Sequence, residues 1–99
     1  MSNVKGQIID GTTGKGIPLA VVDIYPGSDL DATPSFSFQT DENGNYNVTS
    51  DAFDTGSASY DIDIPGYYQA VGDPGQLNGT FELNPTTITK VVGVFPIWV

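Results

Sequence analysis

The chain has 99 residues, with twelve Asp and Glu against three Lys and no Arg, for a formal charge of −9. That size suits one domain and one core, and the lack of His and Cys removes disulfides, thiolate nucleophiles, the commonest general base and the commonest transition-metal ligands. So few cations leave nucleic acid and anionic membrane surfaces without the Lys and Arg that would hold their phosphates, and no run approaches the ~20 apolar residues of a membrane span.

Short alternating runs separated by Gly, Pro, Asn and Asp predict strands throughout. The first is Val4 to Ile9, followed by a turn from Asp10 to Gly16. The second is Leu19 to Tyr25, with Ala20, Val22 and Ile24 on one face. Pro26-Gly27-Ser28-Asp29 ends it, and Ser35 to Thr40 resumes with Phe36 and Phe38 on one side. Asp41-Glu42-Asn43-Gly44-Asn45 predicts a hairpin turn, with Tyr46 and Val48 on the return strand. An acidic loop, Asp51 to Gly56, leads to the cleanest alternation in the chain, where Ala58, Tyr60, Ile62 and Ile64 oppose Ser59, Asp61 and Asp63. Pro65-Gly66 breaks that run. Tyr67 to Val71 predicts another strand, and Phe81 and Leu83 mark the next, beyond a loop bracketed by Asp73-Pro74-Gly75 and Asn78-Gly79. The last run, residues 87–99, is apolar on both faces, as in a strand covered on both sides. The whole predicts one all-β domain over residues 1–99, a seven- to eight-stranded Greek-key sandwich with residues 87–99 as a C-terminal apolar strand or tail.

Three motifs carry a resemblance. Val4-Lys5-Gly6-Gln7-Ile8-Ile9-Asp10, followed by Thr13-Gly14-Lys15-Gly16-Ile17-Pro18-Leu19-Ala20-Val21-Val22-Asp23-Ile24, resembles the opening of carboxypeptidase regulatory-like domains. Thr40-Asp41-Glu42-Asn43-Gly44-Asn45-Tyr46 is similar to that family's Thr-Asp-x-x-Gly-x-Tyr/Phe segment, and Pro65-Gly66-Tyr67 to its later Gly-Tyr motif. The resemblance spans about Val4 to Leu83 and leaves Ile88 to Val99 uncovered. It implies a transthyretin-like sandwich of about seven strands. It also implies a non-catalytic accessory or structural role with no shared catalytic residues, so the motif positions read as turn and core chemistry.

Candidate sites are few. Asp61 and Asp63 stand two apart on one strand face, which reads as a solvated acidic row and not as a glycosidase pair. Asp41, Asn43 and Asn45 alternate around Gly44 as oxygen donors for Ca²⁺, but the twelfth position counted from Asp41 is Ala52 and not the bidentate Glu of an EF-hand. No other cofactor is indicated. Lys5 lies on the first strand, yet the final run carries no Asn or Asp with which to form an isopeptide. Tyr67 and Tyr68, with Tyr25 and Trp98, are candidate stacking platforms for a glycan.

The apolar tail offers the main candidate interface, through Val91, Val94, Phe95, Ile97, Trp98 and Val99, with Pro96 suited to an edge. Strand addition through such a segment recruits a protein partner or a second copy. The expectation is therefore a non-enzymatic structural or protein-interaction module, a subunit of a larger assembly such as an auxiliary or decoration protein of a phage virion. The alternative expectation is a carbohydrate-binding or cell-surface adhesion module. Residues 1–5 lack the apolar run of a signal peptide, so synthesis in the cytoplasm without one is expected, with the virion as the setting.

Overall fold

A computed structural model describes residues 2–27, 31–54 and 57–86 of the chain. Among these residues seven strands follow one another: β1 (Ser2–Asp10), β2 (Val21–Tyr25), β3 (Phe36–Gln39), β4 (Asn45–Ser50), β5 (Ser59–Ile62), β6 (Ala70–Gly72) and β7 (Gly79–Leu83). They form a three-stranded sheet in the order β4-β1-β7 and a four-stranded sheet in the order β3-β2-β5-β6. The protein is thus an all-β sandwich of two sheets. β1 runs antiparallel to β4, from Ser2↔Ser50 to Gln7↔Asn45, and parallel to β7, from Gly6↔Gly79 to Asp10↔Leu83. A parallel pair requires a long crossover; here the chain between β1 and β7 builds the whole of the other sheet. Among the described residues no helix is long and apolar enough to cross a membrane.

The alternation seen in the sequence sets the two inner faces. Val4 and Ile8 of β1, Val22 and Ile24 of β2, Phe38 of β3, Tyr46 of β4, Tyr60 and Ile62 of β5 and Leu83 of β7 are all buried. Burying such a side chain stabilises the fold by about 1.5–3 kcal/mol each, so these positions hold the two sheets together. Aromatic edges reinforce them. Phe81 stands edge-on to Tyr60 with ring centroids 5.4 Å apart, and Phe36 edge-on to Phe53 at 5.7 Å.

Several local elements differ from the sequence reading. The Asp41–Asn45 turn is tight, with the Asp41 amide donating to Asn45 O at 2.9 Å and the Gly44 amide to Asp41 O at 3.1 Å. Yet it is not a hairpin, because β3 pairs with β2 whereas β4 pairs with β1. The turn carries the chain from one sheet to the other. The predicted strand at Tyr67 to Val71 shrinks to β6 and an isolated bridge, Tyr67↔Pro85. The acidic stretch Asp51–Asp54 and the loop Pro74–Leu77 each form one 3-10 turn. In the second, Asp73 accepts from the Gly75 amide at 2.8 Å and Gln76 accepts from the Asp73 amide at 3.2 Å, a reciprocal cap. That cap aims Leu77 into the core, where it is fully buried.

Tyr46 joins this turn to the core. Its hydroxyl donates to the Leu77 carbonyl, and burial, with a smaller contribution from Tyr60, pushes its pKa from 10.0 up to about 12. A phenol whose folded pKa is raised contributes stability below its unfolded pKa that is lost as pH climbs through the folded value. Wild-type protein is therefore expected to lose stability between pH 10 and about 12. Tyr46→Phe should be less stable by roughly 1–3 kcal/mol at neutral pH, because Leu77 O is left unpaired, and it should show a shallower alkaline loss. Urea unfolding across that pH range checks both.

Candidate functional site

Alternation along β1 and β4 turns one set of side chains inward and the other outward. The outward set on the three-stranded sheet is Asn3, Lys5, Gln7 and, at its end, Ile9 of β1, Asn45, Asn47 and Thr49 of β4, and Thr80 and Glu82 of β7. The register places Gln7 between Asn45 and Thr80, and Lys5 beside Asn47. A groove of about 740 Å³ runs here, reaching the crossing turn through Gln39 and Asp41.

Part of this polar set is already engaged. Asn3 Nδ2 donates to Asn47 Oδ1 at 2.8 Å, Val48 O at 3.0 Å and Thr49 Oγ1 at 3.1 Å. Gln7 Nε2 donates to Asn43 O at 2.9 Å. Those bonds orient the amides and leave Gln7 Oε1, Asn47 Nδ2 and the whole Asn45 amide without a partner among the described residues. Lys5 has no acidic partner there either.

Two carboxylates pair on the opposite side of the sandwich, among Val21, Ser37, Gln39, Ser59 and Val71. Asp23 of β2 lies directly across from Asp61 of β5. Ser37 Oγ donates to Asp23 Oδ1 at 2.6 Å and Gln69 Nε2 to Asp61 Oδ1 at 2.8 Å. Asp63 is exposed just beyond β5. The acidic row read from the alternation thus occupies the outer face of the four-stranded sheet, where no general base adjoins it among the described residues.

The remaining candidates are placed as follows. Asp41 Oδ1 accepts from the backbone amides of Asn43 at 2.8 Å and Asn45 at 2.9 Å. That oxygen closes the turn, and no group of three or more acidic ligands gathers among the described residues. Tyr67 and Tyr68 do not make a common platform. Tyr67 is half-buried against the core and donates to Asp10 Oδ2 at 2.8 Å. That hydrogen bond to a carboxylate raises the Tyr67 pKa above its usual 10.0, with burial second. Tyr68 is 59% exposed, and Tyr25 is buried at the end of β2. The tail candidates Val91, Val94, Phe95, Ile97, Trp98 and Val99 lie outside the described residues.

The amide-bearing face was legible in principle. Asn3, Lys5 and Gln7, and Asn45, Asn47 and Thr49, are two polar triplets at period two. What the alternation alone does not show is that β1 and β4 are neighbours, which merges the triplets into one surface.

No family model matches the chain, and no curated protein matches it. Solved structures do resemble it. The chain is similar to the 3-chlorocatechol 1,2-dioxygenase of Rhodococcus opacus 1CP, with 13% identity and a TM-score of 0.53, over 85% of this chain and 59% of that one. It is also similar to a streptococcal ancillary pilin, with 12% identity and a TM-score of 0.49, over 87% of this chain and 30% of that one. The chain therefore spans 59% of the dioxygenase and 30% of the pilin. At 13% identity the dioxygenase likeness establishes a shared β-sandwich fold and nothing about chemistry.

Proposed function

We propose that this protein is a non-catalytic structural or protein-interaction module, a subunit of a larger assembly that it joins through its C-terminal segment. In its finer form the reading makes the chain a carboxypeptidase regulatory-like domain, with an auxiliary protein of a phage particle as the concrete setting. The sequence motifs support the family part, since the three segments that carry the resemblance fall on β1–β2, on the crossing turn and on the Tyr67 bridge. The lack of His, Cys and Arg supports a role without acid–base or nucleophilic chemistry.

One observation carries the interaction reading. β7 is an edge strand of the three-stranded sheet among the described residues, and the strongly apolar residues 87–99 follow shortly after it in the chain. An open strand edge is a ready template for another strand, and strand addition is a common way to recruit a partner. Trp98 and Phe95 would supply the large apolar anchors that dominate binding energy at interfaces.

Light scattering of the full chain, compared with Phe95→Asp and Trp98→Asp, tests this. The full chain is expected to associate with itself or with a co-purified partner, and each variant to release it by at least roughly tenfold in Kd, the effect of placing a charge at an interface core. A full chain that stays monomeric and partnerless, with variants that change stability alone, would refute it.

A further inference from the structure

We propose that the outer face of the three-stranded sheet is a binding site for a neutral polyhydroxylated chain, an oligosaccharide. The inference does not depend on the assembly reading.

The inference starts from the segregation of charge. The chain carries twelve acidic residues, yet the register brings Asn45, Gln7 and Thr80 into one row and Asn47 and Lys5 into the next. Asp41 borders the groove, but its Oδ1 is committed to two backbone amides of its own turn. Glu82 stands at the far end, opposite Ile9. The middle of the face is therefore amide and hydroxyl, with one ammonium.

The hydrogen-bonding inventory identifies the ligand class. A primary amide offers two donors and an acceptor, and a threonine hydroxyl offers both functions. Gln7 Oε1, Asn47 Nδ2 and the Asn45 amide retain unused capacity, so acceptors and donors are interleaved within one groove. Sugar hydroxyls are likewise donor and acceptor at once, and adjacent hydroxyls can pair with both ends of one amide. The bonds from Asn3 to Asn47 and from Gln7 to Asn43 O hold two of these side chains in place before a ligand arrives, which lowers the ordering cost of binding.

Charge and topology decide against other occupants. A net charge of −9 repels anions, and Lys5 alone does not offset it. A peptide added as a strand would use the backbone of a sheet edge, whereas these groups stand on the face. The groove volume of about 740 Å³ lies within the usual range of roughly 300–1,000 Å³ for small-molecule sites. Among the described residues the outward positions of this sheet hold no aromatic side chain, so recognition rests on hydrogen bonds and the affinity should be modest.

The test is an NMR titration of the full ¹⁵N-labelled chain with cellohexaose, maltohexaose, xylohexaose and chitohexaose, each separately. With at least one of them, the side-chain amide resonances of Gln7, Asn45 and Asn47 should move together. Gln7→Ala and Asn47→Ala should each weaken binding roughly three- to tenfold, the range set by the loss of one net hydrogen bond. Tyr68→Ala should leave it unchanged. Backbone spectra verify folding, and Asn45→Ala and Thr80→Ala stand in if either variant misfolds. The proposal is overturned if none of the four sugars shifts those amides. It is equally overturned if the shifts centre on Tyr68 and vanish in Tyr68→Ala, or if binding survives all the face variants.

Discussion

Gly44→Ala should destabilise the protein by roughly 2–5 kcal/mol and lower its melting temperature by tens of degrees. Two effects combine. Gly44 has φ +81°, a left-handed conformation that costs a residue with a Cβ roughly 1–2 kcal/mol. A Cβ at this position would also lie 2.5 Å from Ile8 O, 2.7 Å from Ile17 N and 2.9 Å from Gly16 Cα. All three are backbone atoms of other segments, so no rotamer change relieves the contact, and overpacking of this kind adds roughly 1–3 kcal/mol. The same point is tied by hydrogen bonds, since the Ile8 amide donates to Gly44 O and the Ile17 amide to Ile8 O, both at 2.9 Å. For a domain of this size each kcal/mol shifts the melting temperature by roughly 4–8 °C. Gly44→Asn separates the two effects: asparagine tolerates the left-handed conformation, but its Cβ meets the same atoms. Calorimetry should find Asn still destabilising, by the roughly 1–3 kcal/mol of the close contacts alone. If Asn restores most of the stability, the close approach of the three backbones is not the dominant constraint.

Thr40→Val should cost roughly 2–5 kcal/mol, although the two side chains are nearly isosteric. Thr40 is a polar residue buried in the core, 1% exposed. Its Oγ1 donates to Ile17 O at 2.7 Å and accepts from the Ala20 amide at 2.8 Å. Its own amide donates to Ala20 O at 3.0 Å. These bonds fix the segment between β1 and β2 against the end of β3. They also hold Leu19 at φ +55°, a backbone state that a bulky residue keeps only when its surroundings enforce it. Valine fills the space and leaves one donor and one acceptor buried without partners, each worth about 1–3 kcal/mol. Thr40→Ser keeps both bonds and loses only a methyl group, so it should cost about 1 kcal/mol. Urea denaturation of the two variants makes the comparison. Equal losses for Val and Ser would show that packing, and not hydrogen bonding, is what Thr40 contributes.

Both residues belong to the segment Thr40 to Tyr46, and the structure gives each of its marked positions a physical task. Thr40 satisfies a buried loop, Asp41 closes the turn with its carboxylate, Gly44 allows three backbones to meet, and Tyr46 bonds to Leu77 O. The sequence reading of these positions as turn and core chemistry was sound. The hairpin drawn through them was not, because turn residues specify a local reversal of direction and not the strand that lies alongside. β3 and β4 have inward residues at period two that fit a hairpin or a crossing between sheets equally well. The outcome depends on β1, which pairs with β4 along six residues and takes it away from β3.

The core divides in the same way. Val4, Ile8, Val22, Ile24, Tyr60 and Ile62 were legible because strand alternation places them on one face. Leu77 was not. It is the lone large apolar residue in a Gly- and Pro-containing loop, where no period exists to mark it, and only the Asp73–Gln76 cap turns it inward. Tyr67 and Tyr68 show the limit from the other side, since identical side chains at adjacent positions differ in burial and partner because one meets Asp10 and the other faces outward.

Composition and short-range pattern were thus enough for the all-β class, most strand positions among the described residues and the paucity of reactive groups, because those follow from residue identity and the two-residue period of a strand. The pairing of β1 with β4, the amide-bearing face that this pairing creates, and the juxtaposition of Asp23 with Asp61 on the other sheet came only with the folded chain. Each brings together residues some 40 positions apart, such as Gln7 and Asn45 or Asp23 and Asp61. No local periodicity encodes a contact at that separation; it is selected by the cooperative burial of both inner faces at once.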